Sequence, residues 1–167
     1  MAKRVGFLLM TDLPKLGRVA VLQRRGKFSH ERMDWANYPG GCQLTVMGKV
    51  DDGEDVDQAL WREIAEELGS DCIKHLKDYC NNYEDLMTII DNSDATIYCL
   101  YLDEGHFTFL IQDVFRLEPC TGGLEFITKD QVKDIVNLKD YPHGVTNLET
   151  IAMFPDEKEA LELAFDI

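Results

Sequence analysis

Positive charge is in short supply in this 167-residue chain: 17 Lys and Arg stand against 31 Asp and Glu, a formal net charge of −14. Phosphate backbones and anionic membrane surfaces need a basic face, so non-specific nucleic-acid or membrane binding is excluded. A small phosphorylated substrate is not, because a bound divalent cation locally reverses the field. Long apolar runs are also missing, and nothing approaches the roughly 18 residues that span a bilayer. The run Val5–Met10 after Lys3-Arg4 has the outward form of a signal peptide, but Thr11-Asp12 end it without a small-residue cleavage site. A buried strand is the better reading, and a cytoplasmic location is expected. Cys42, Cys72, Cys80, Cys99 and Cys120 are odd in number and lack CxxC spacing, which argues against a disulfide framework or a zinc ribbon. They read as reduced, small hydrophobes. His30, His75, His106 and His143 make no HxxxH or HExxH pattern, and each reads as a surface or core residue.

With 45% hydrophobic and 29% charged residues, the composition is that of a globular protein able to bury a core. Arg4–Asp12 and Arg18–Arg25 read as strands joined by a Pro- and Gly-containing turn at Leu13–Gly17. Lys27–Tyr38 is polar without a period and reads as a loop. After Pro39-Gly40-Gly41, Cys42–Val50 alternates as one strand. A turn at Asp51–Glu54 precedes a helix from about Asp55 to Leu68, stopped by Gly69. Asp71–Ile90 reads as one or two short helices. Ala95–Leu102 and His106–Phe115 read as strands, with Asp103-Glu104-Gly105 as a hairpin. A short strand is expected at Leu124–Ile127, a helix at Lys129–Val136 capped by Thr128, and a last helix at Asp156–Ala164 begun by Pro155. No repeat or linker interrupts this order. The prediction is one α+β domain over residues 1–167, with helices packed on a mixed sheet.

The Asp55–Leu68 helix is unusual in its charges. On a wheel of about 100° per residue, Val56, Leu60, Ile64 and Leu68 form the core-facing stripe. Glu67 falls between Val56 and Leu60, Glu63 beside Val56, and Glu66 further round near Ala59. Two carboxylates about 4 Å apart repel by roughly 4 kcal/mol at the effective dielectric near a protein surface. Acids set at a buried edge need a cation. Arg62 points to the other side of the wheel and serves only part of the set. A hard divalent ion such as Mg²⁺, which takes oxygen ligands, fits the remainder.

Gly48, Glu54 and the run Arg62-Glu63-Ile64-Ala65-Glu66-Glu67-Leu68-Gly69 match every fixed position of GX5EX7REUXEEXGU, with U a bulky aliphatic. Ser70 at the last U is the one departure. On these 23 residues the chain resembles the Nudix hydrolases. The family usually writes the approach as PGGK, whereas here CQLTVM separates Pro39-Gly40-Gly41 from Gly48. The resemblance implies an α/β/α sandwich around a mixed central sheet. It also implies Mg²⁺- or Mn²⁺-dependent hydrolysis of a nucleoside diphosphate linked to another moiety, acting on a small-molecule nucleotide. Glu63, Glu66 and Glu67 would be metal ligands, with the Gly48 carbonyl as a further one. Glu63 or a carboxylate outside the box would activate water, and Arg62 would pair with Glu54. A later glutamate, Glu118 or Glu125, is a further candidate ligand, with Glu118 slightly favoured. Arg24 and Arg25 are candidates for a substrate phosphate, and Trp35 and Tyr38 for stacking on a base. Homodimers are frequent in the family, though no residue here establishes one. Two alternatives stay open: prenyl diphosphate isomerisation, which would use Cys42, and a non-catalytic nucleotide-binding module.

Overall fold

The computed structural model describes residues 2–29, 32–83 and 85–167. His30 lies outside them. In chain order the elements are strands β1 (Arg4–Leu13), β2 (Gly17–Arg24), β3 (Phe28–Ser29), β4 (Asp34–Trp35), β5 (Cys42–Leu44) and β6 (Val46–Lys49), then helices α1 (Val56–Leu68) and α2 (Ser70–Asn82). Strands β7 (Met87–Asp91) and β8 (Ala95–Leu102) follow, then α3 (Glu104–Phe109) running into a π-helical turn at Leu110–Val114. β9 (Gly123–Thr128), α4 (Lys129–Val132), β10 (Val136–Asn137), β11 (Ala152–Met153) and α5 (Pro155–Asp166) complete the chain. Among the described residues, no helix is long and apolar enough to cross a membrane.

Strand β1 organises the main sheet. It pairs parallel with β8, antiparallel with β2 through its second half, and antiparallel with β6 through its first half. Its side chains alternate between two cores, as the period of two requires. Val5, Phe7 and Leu9 pack with Leu60, Ile64 and Leu68 of α1 and with Cys72 and Leu76 of α2. Leu8 and Met10 face the other way, onto Ala160, Leu161, Ala164 and Phe165 of α5. Each fully buried Val, Leu, Ile, Phe or Met among these stabilises the fold by about 1.5–3 kcal/mol. The product is a mixed sheet between two helical layers, the α/β/α sandwich anticipated from the sequence.

The Cys42–Val50 segment differs from the expected single strand. β5 runs antiparallel to β2, with Leu22 opposite Leu44 and Arg24 opposite Cys42. β6 runs antiparallel to β1, with Phe7 opposite Val46 and Arg4 opposite Lys49. Since β1 and β2 are themselves antiparallel, the chain reverses at Thr45, and β5–β6 is a narrow wedge entering the gap where β1 and β2 part. Thr45 sits at the apex, fully buried. Its hydroxyl donates to the Val21 carbonyl at 2.6 Å and accepts from the Leu9 N–H at 2.9 Å, satisfying two backbone groups left by the split.

Three other expectations need correction. His106–Phe115 is helical: the Asp103 carboxylate accepts from the His106 N–H as an N-cap, and Phe107, Leu110 and Val114 bury one face. Asp103–Gly105 is therefore a helix start and no hairpin. Asp71–Ile90, expected to hold one or two short helices, has the helix α2 but continues into the edge strand β7, which among the described residues pairs with β8. The helix after Thr128 ends at Val132. Gly69, with φ +95°, takes the left-handed backbone that lets α2 begin directly after α1. Within the expected Lys27–Tyr38 loop, β3 and β4 pair with each other.

Candidate active site

A cleft of about 630 Å³ opens between α1, the wedge and the segment after the π-helical turn. Helix α1 is fastened at its start by a capping box, in which Asp55 accepts from Gln58 N–H while the Gln58 side chain accepts from Asp55 N–H. Its apolar stripe, Leu60–Ile64–Leu68, sets the rotation of the helix on the sheet. That rotation delivers Glu63 and Glu67 to the wedge and leaves Glu66 at the rim.

Glu63 and Glu67, four residues apart, address backbone donors two residues apart on β6. Glu63 Oε1 accepts from the Lys49 N–H at 3.2 Å, and Glu67 accepts from the Met47 N–H. The Glu63 carboxylate lies so close over Gly48 that a Cβ there would collide with it. Burial pushes the Glu63 carboxyl above its ordinary range, against the pull of Arg62. Burial, and then the Glu63 and Glu118 carboxylates, push Glu67 well above it. Glu118, from the segment before β9, therefore faces the same cleft.

Arg62 collects the opposite charges. It forks onto Glu54 through Nε–Oε1 and Nη2–Oε2 contacts of 2.9 Å each, donates to the Lys49 carbonyl at 2.8 Å, and reaches Glu63 at 2.7 Å and Glu66 at 3.4 Å. The guanidinium holds the Glu54 carboxyl below its ordinary range. Arg62 thus locks the loop before α1 to the helix and to the end of β6. Among the described residues, no group of three or more His, Cys, Asp or Glu side chains is arranged to hold a metal ion as it stands. The donor chemistry nonetheless fits a hard cation: Glu67 feels the charges of Glu63 and Glu118, and with Glu66 these carboxylates line one cleft as oxygen donors.

The paired arginines separate in role. Arg24 is buried, and its guanidinium is taken up by Glu125 at 2.8 Å and by the carbonyls of Gly40, Leu148 and Thr150 at 2.7, 3.0 and 3.4 Å. It acts as a strut between β2, β9 and two loops, and it takes Glu125 with it. Arg25 lies at the cleft with its guanidinium over the Phe154 ring and its buried Nε without a hydrogen-bond partner among the described residues. Tyr38 packs edge-on against Phe154, outside the cleft lining. Trp35 is exposed and meets Phe28 edge-to-face, and Phe28 is the aromatic that lines the cleft. Cys42 is fully buried in the α5-side core, and burial pushes its thiol up to about 11, which makes it a poor nucleophile.

Sequence reasoning overlooked Gln23 and Gln43. Both lie on cleft-facing strand positions beside Glu67. The available signal was polarity out of place: each occupies the α1-facing side of a strand whose neighbours are apolar.

Residues 2–142 match the family model described as NUDIX domain. No curated protein matches the chain. Among solved structures, it is similar to a mutT/nudix family protein from Listeria innocua, with 15% identity, a TM-score of 0.55, and 99% of this chain and 92% of that one covered. It is also similar to the NUDIX domain of Shewanella oneidensis NrtR complexed with ADP ribose, at 15% identity and TM-score 0.54, covering 99% and 87%. The C-terminal domain of mouse MUTYH, in complex with human PCNA, is a third likeness at 12% identity and TM-score 0.53, covering 99% and 88%. At these identities the likeness is one of fold.

Proposed function

The chain belongs to the Nudix hydrolase family, and from that premise we propose that it cleaves the diphosphate linkage of a nucleoside diphosphate derivative, using Mg²⁺ or Mn²⁺. One observation supports this most directly. The carboxylates of Glu63 and Glu67 are carried over β6 by α1, over a glycine that alone leaves room, in a cleft also reached by Glu118. On this reading Glu63, Glu66 and Glu67, with Glu118 and the Gly48 carbonyl, would hold the divalent ion. Such an ion supplies neutralisation of the diphosphate and acidification of water.

The chain's own contribution is positioning. Arg62 and Glu54 keep α1 and its preceding loop in register, so the carboxylates stay aimed at one point. Arg25, which lines the cleft, supplies the positive charge that meets a substrate phosphate. Phe28, at the mouth, offers a ring face to a base. The reaction needs water aligned with a phosphorus atom, and a carboxylate of the acidic wall takes its proton.

The test is Mg²⁺-dependent hydrolysis over a panel of nucleoside diphosphate derivatives, with products identified by mass. Glu67→Gln and Glu66→Gln are each expected to lower kcat by about 10²–10³-fold, the usual effect of removing one preorganised charge contact. Undiminished phosphate release by Glu67→Gln would overturn the reading.

A further inference from the structure

Glu67 is held differently from the other box glutamates. Glu63 and Glu66 both lean on the positive guanidinium of Arg62. Glu67 is met by uncharged donors: the Met47 N–H and two glutamine amides. Gln23 on β2 and Gln43 on β5 are direct register partners. Their neighbours Leu22, Cys42 and Leu44 point into the α5-side core, so both amides emerge on the face that α1 covers. Gln43 Nε2 donates to Glu67 Oε2 at 3.0 Å and to Oε1 at 3.3 Å. The Gln23 amide has two orientations. In one its nitrogen donates to the Thr121 hydroxyl at 3.2 Å and its oxygen accepts from Gln43 Nε2 at 3.3 Å. In the other its nitrogen donates to Glu67 Oε2 at 2.5 Å and to the Thr45 carbonyl at 3.2 Å. The second is preferred because it replaces an oxygen–oxygen contact with Glu67 by a hydrogen bond.

A buried side-chain amide costs free energy unless its hydrogen bonds are made, and an apolar residue would fill these positions at lower cost. Here the bonds are made to one carboxylate. We infer that Gln23 and Gln43 are positioning residues, a neutral amide platform that fixes Glu67 as a ligand for the divalent ion. The inference rests on the proposed metal-dependent function. Neutral donors suit the task because they orient the carboxylate without cancelling its charge. A Lys or Arg in either place would compete with the cation. The platform also ties Glu67 to the turn bearing Glu118, since Thr121, Gln23's partner, donates its own N–H to the Glu118 carbonyl at 3.1 Å. Outer contacts of this kind typically alter metal affinity or activity by about 10–100-fold when removed.

The experiment uses the full chain and Mn²⁺ alone as the probe, with free Mn²⁺ followed by electron paramagnetic resonance and stability by thermal unfolding. Gln43→Met and Gln23→Met keep the side-chain volume and delete the donors. Each is expected to weaken Mn²⁺ binding by about 10-fold and to lower kcat more than it raises KM. In a Glu67→Gln background, either substitution is expected to change Mn²⁺ affinity by less than about twofold, because the contact it served is already gone. A purely structural role would lower the unfolding temperature equally in both backgrounds and leave Mn²⁺ affinity alone, and that result would overturn the inference. If one variant does not fold, the other decides. A parent protein that binds no Mn²⁺ would instead remove the metal-dependent function itself, and with it this platform.

Discussion

A methyl group at position 48 would occupy the space of the Glu63 carboxylate, so the glycine of the motif acts here through volume. Gly48→Ala is expected to push Glu63 off the Lys49 amide and to lower kcat by about 10²-fold, the loss that a displacement of about 1 Å at a reacting centre can cause. Steady-state kinetics alongside thermal unfolding would check this, since the fold should survive. At the residue scale the motif was fully legible, because its chemistry demands fixed residue types at fixed spacing. What escaped was the partners of the motif. Gln23 and Gln43 lie outside it, 25 and 5 residues before Gly48, and glutamine carries no charge or metal-ligand signature. Arg24 and Arg25 looked equivalent, yet the strand alternation turns one inward to Glu125 and leaves the other at the cleft.

Among the elements, the wedge is the one that decides where the site stands. Thr45→Val keeps its shape and removes both hydroxyl bonds, leaving the Leu9 N–H and the Val21 carbonyl buried without that partner. Each such orphan costs about 1–3 kcal/mol. With two such orphans, urea denaturation should register a loss of about 2–6 kcal/mol, and Thr45→Ser should recover most of it. The other side of the wedge is fastened by α5, whose buried Glu157 accepts from the Leu44 N–H at 3.1 Å. Burial raises the Glu157 carboxyl above its ordinary value, with Arg25 and Arg4 opposing. A carboxyl raised in the folded state favours folding most below its unfolded value of 4.5, and that advantage fades as pH rises through the folded value. Glu157→Gln keeps an acceptor and loses the charge, so thermal unfolding should find it level with the parent near pH 4 and more stable than the parent above neutrality. The wedge could not be read from the sequence because alternation reports which face a side chain takes, and says nothing of the chain reversing at a lone threonine. His106–Phe115 misled for a related cause. Its Phe, Thr, Ile and Val content favours strands, whereas the Asp103 cap and the spacing of Phe107, Leu110 and Val114 carried the weaker but correct helical signal. The half-exposed edge strand β7 shows no clean alternation at all. The strands β1, β2 and β8 were legible because they are long and buried on both faces.

For the molecule as a whole, the surplus of acid is the dominant electrostatic fact. With a net charge of −14, the folded state repels itself over distances comparable to the screening length. Raising NaCl from low to physiological ionic strength is therefore expected to raise the unfolding temperature, and a scan of unfolding temperature against salt would show a fall instead if the attractive pairs dominated. The two helical layers also impose an order of assembly. Leu44 is fastened by a residue 113 positions further along the chain. A nascent polypeptide arrested before α5 would already contain every glutamate of the motif, yet its hairpin would lack that fastening on one side. Catalytic competence should then appear late in synthesis, once the last helix has left the ribosome, and not when the motif itself emerges.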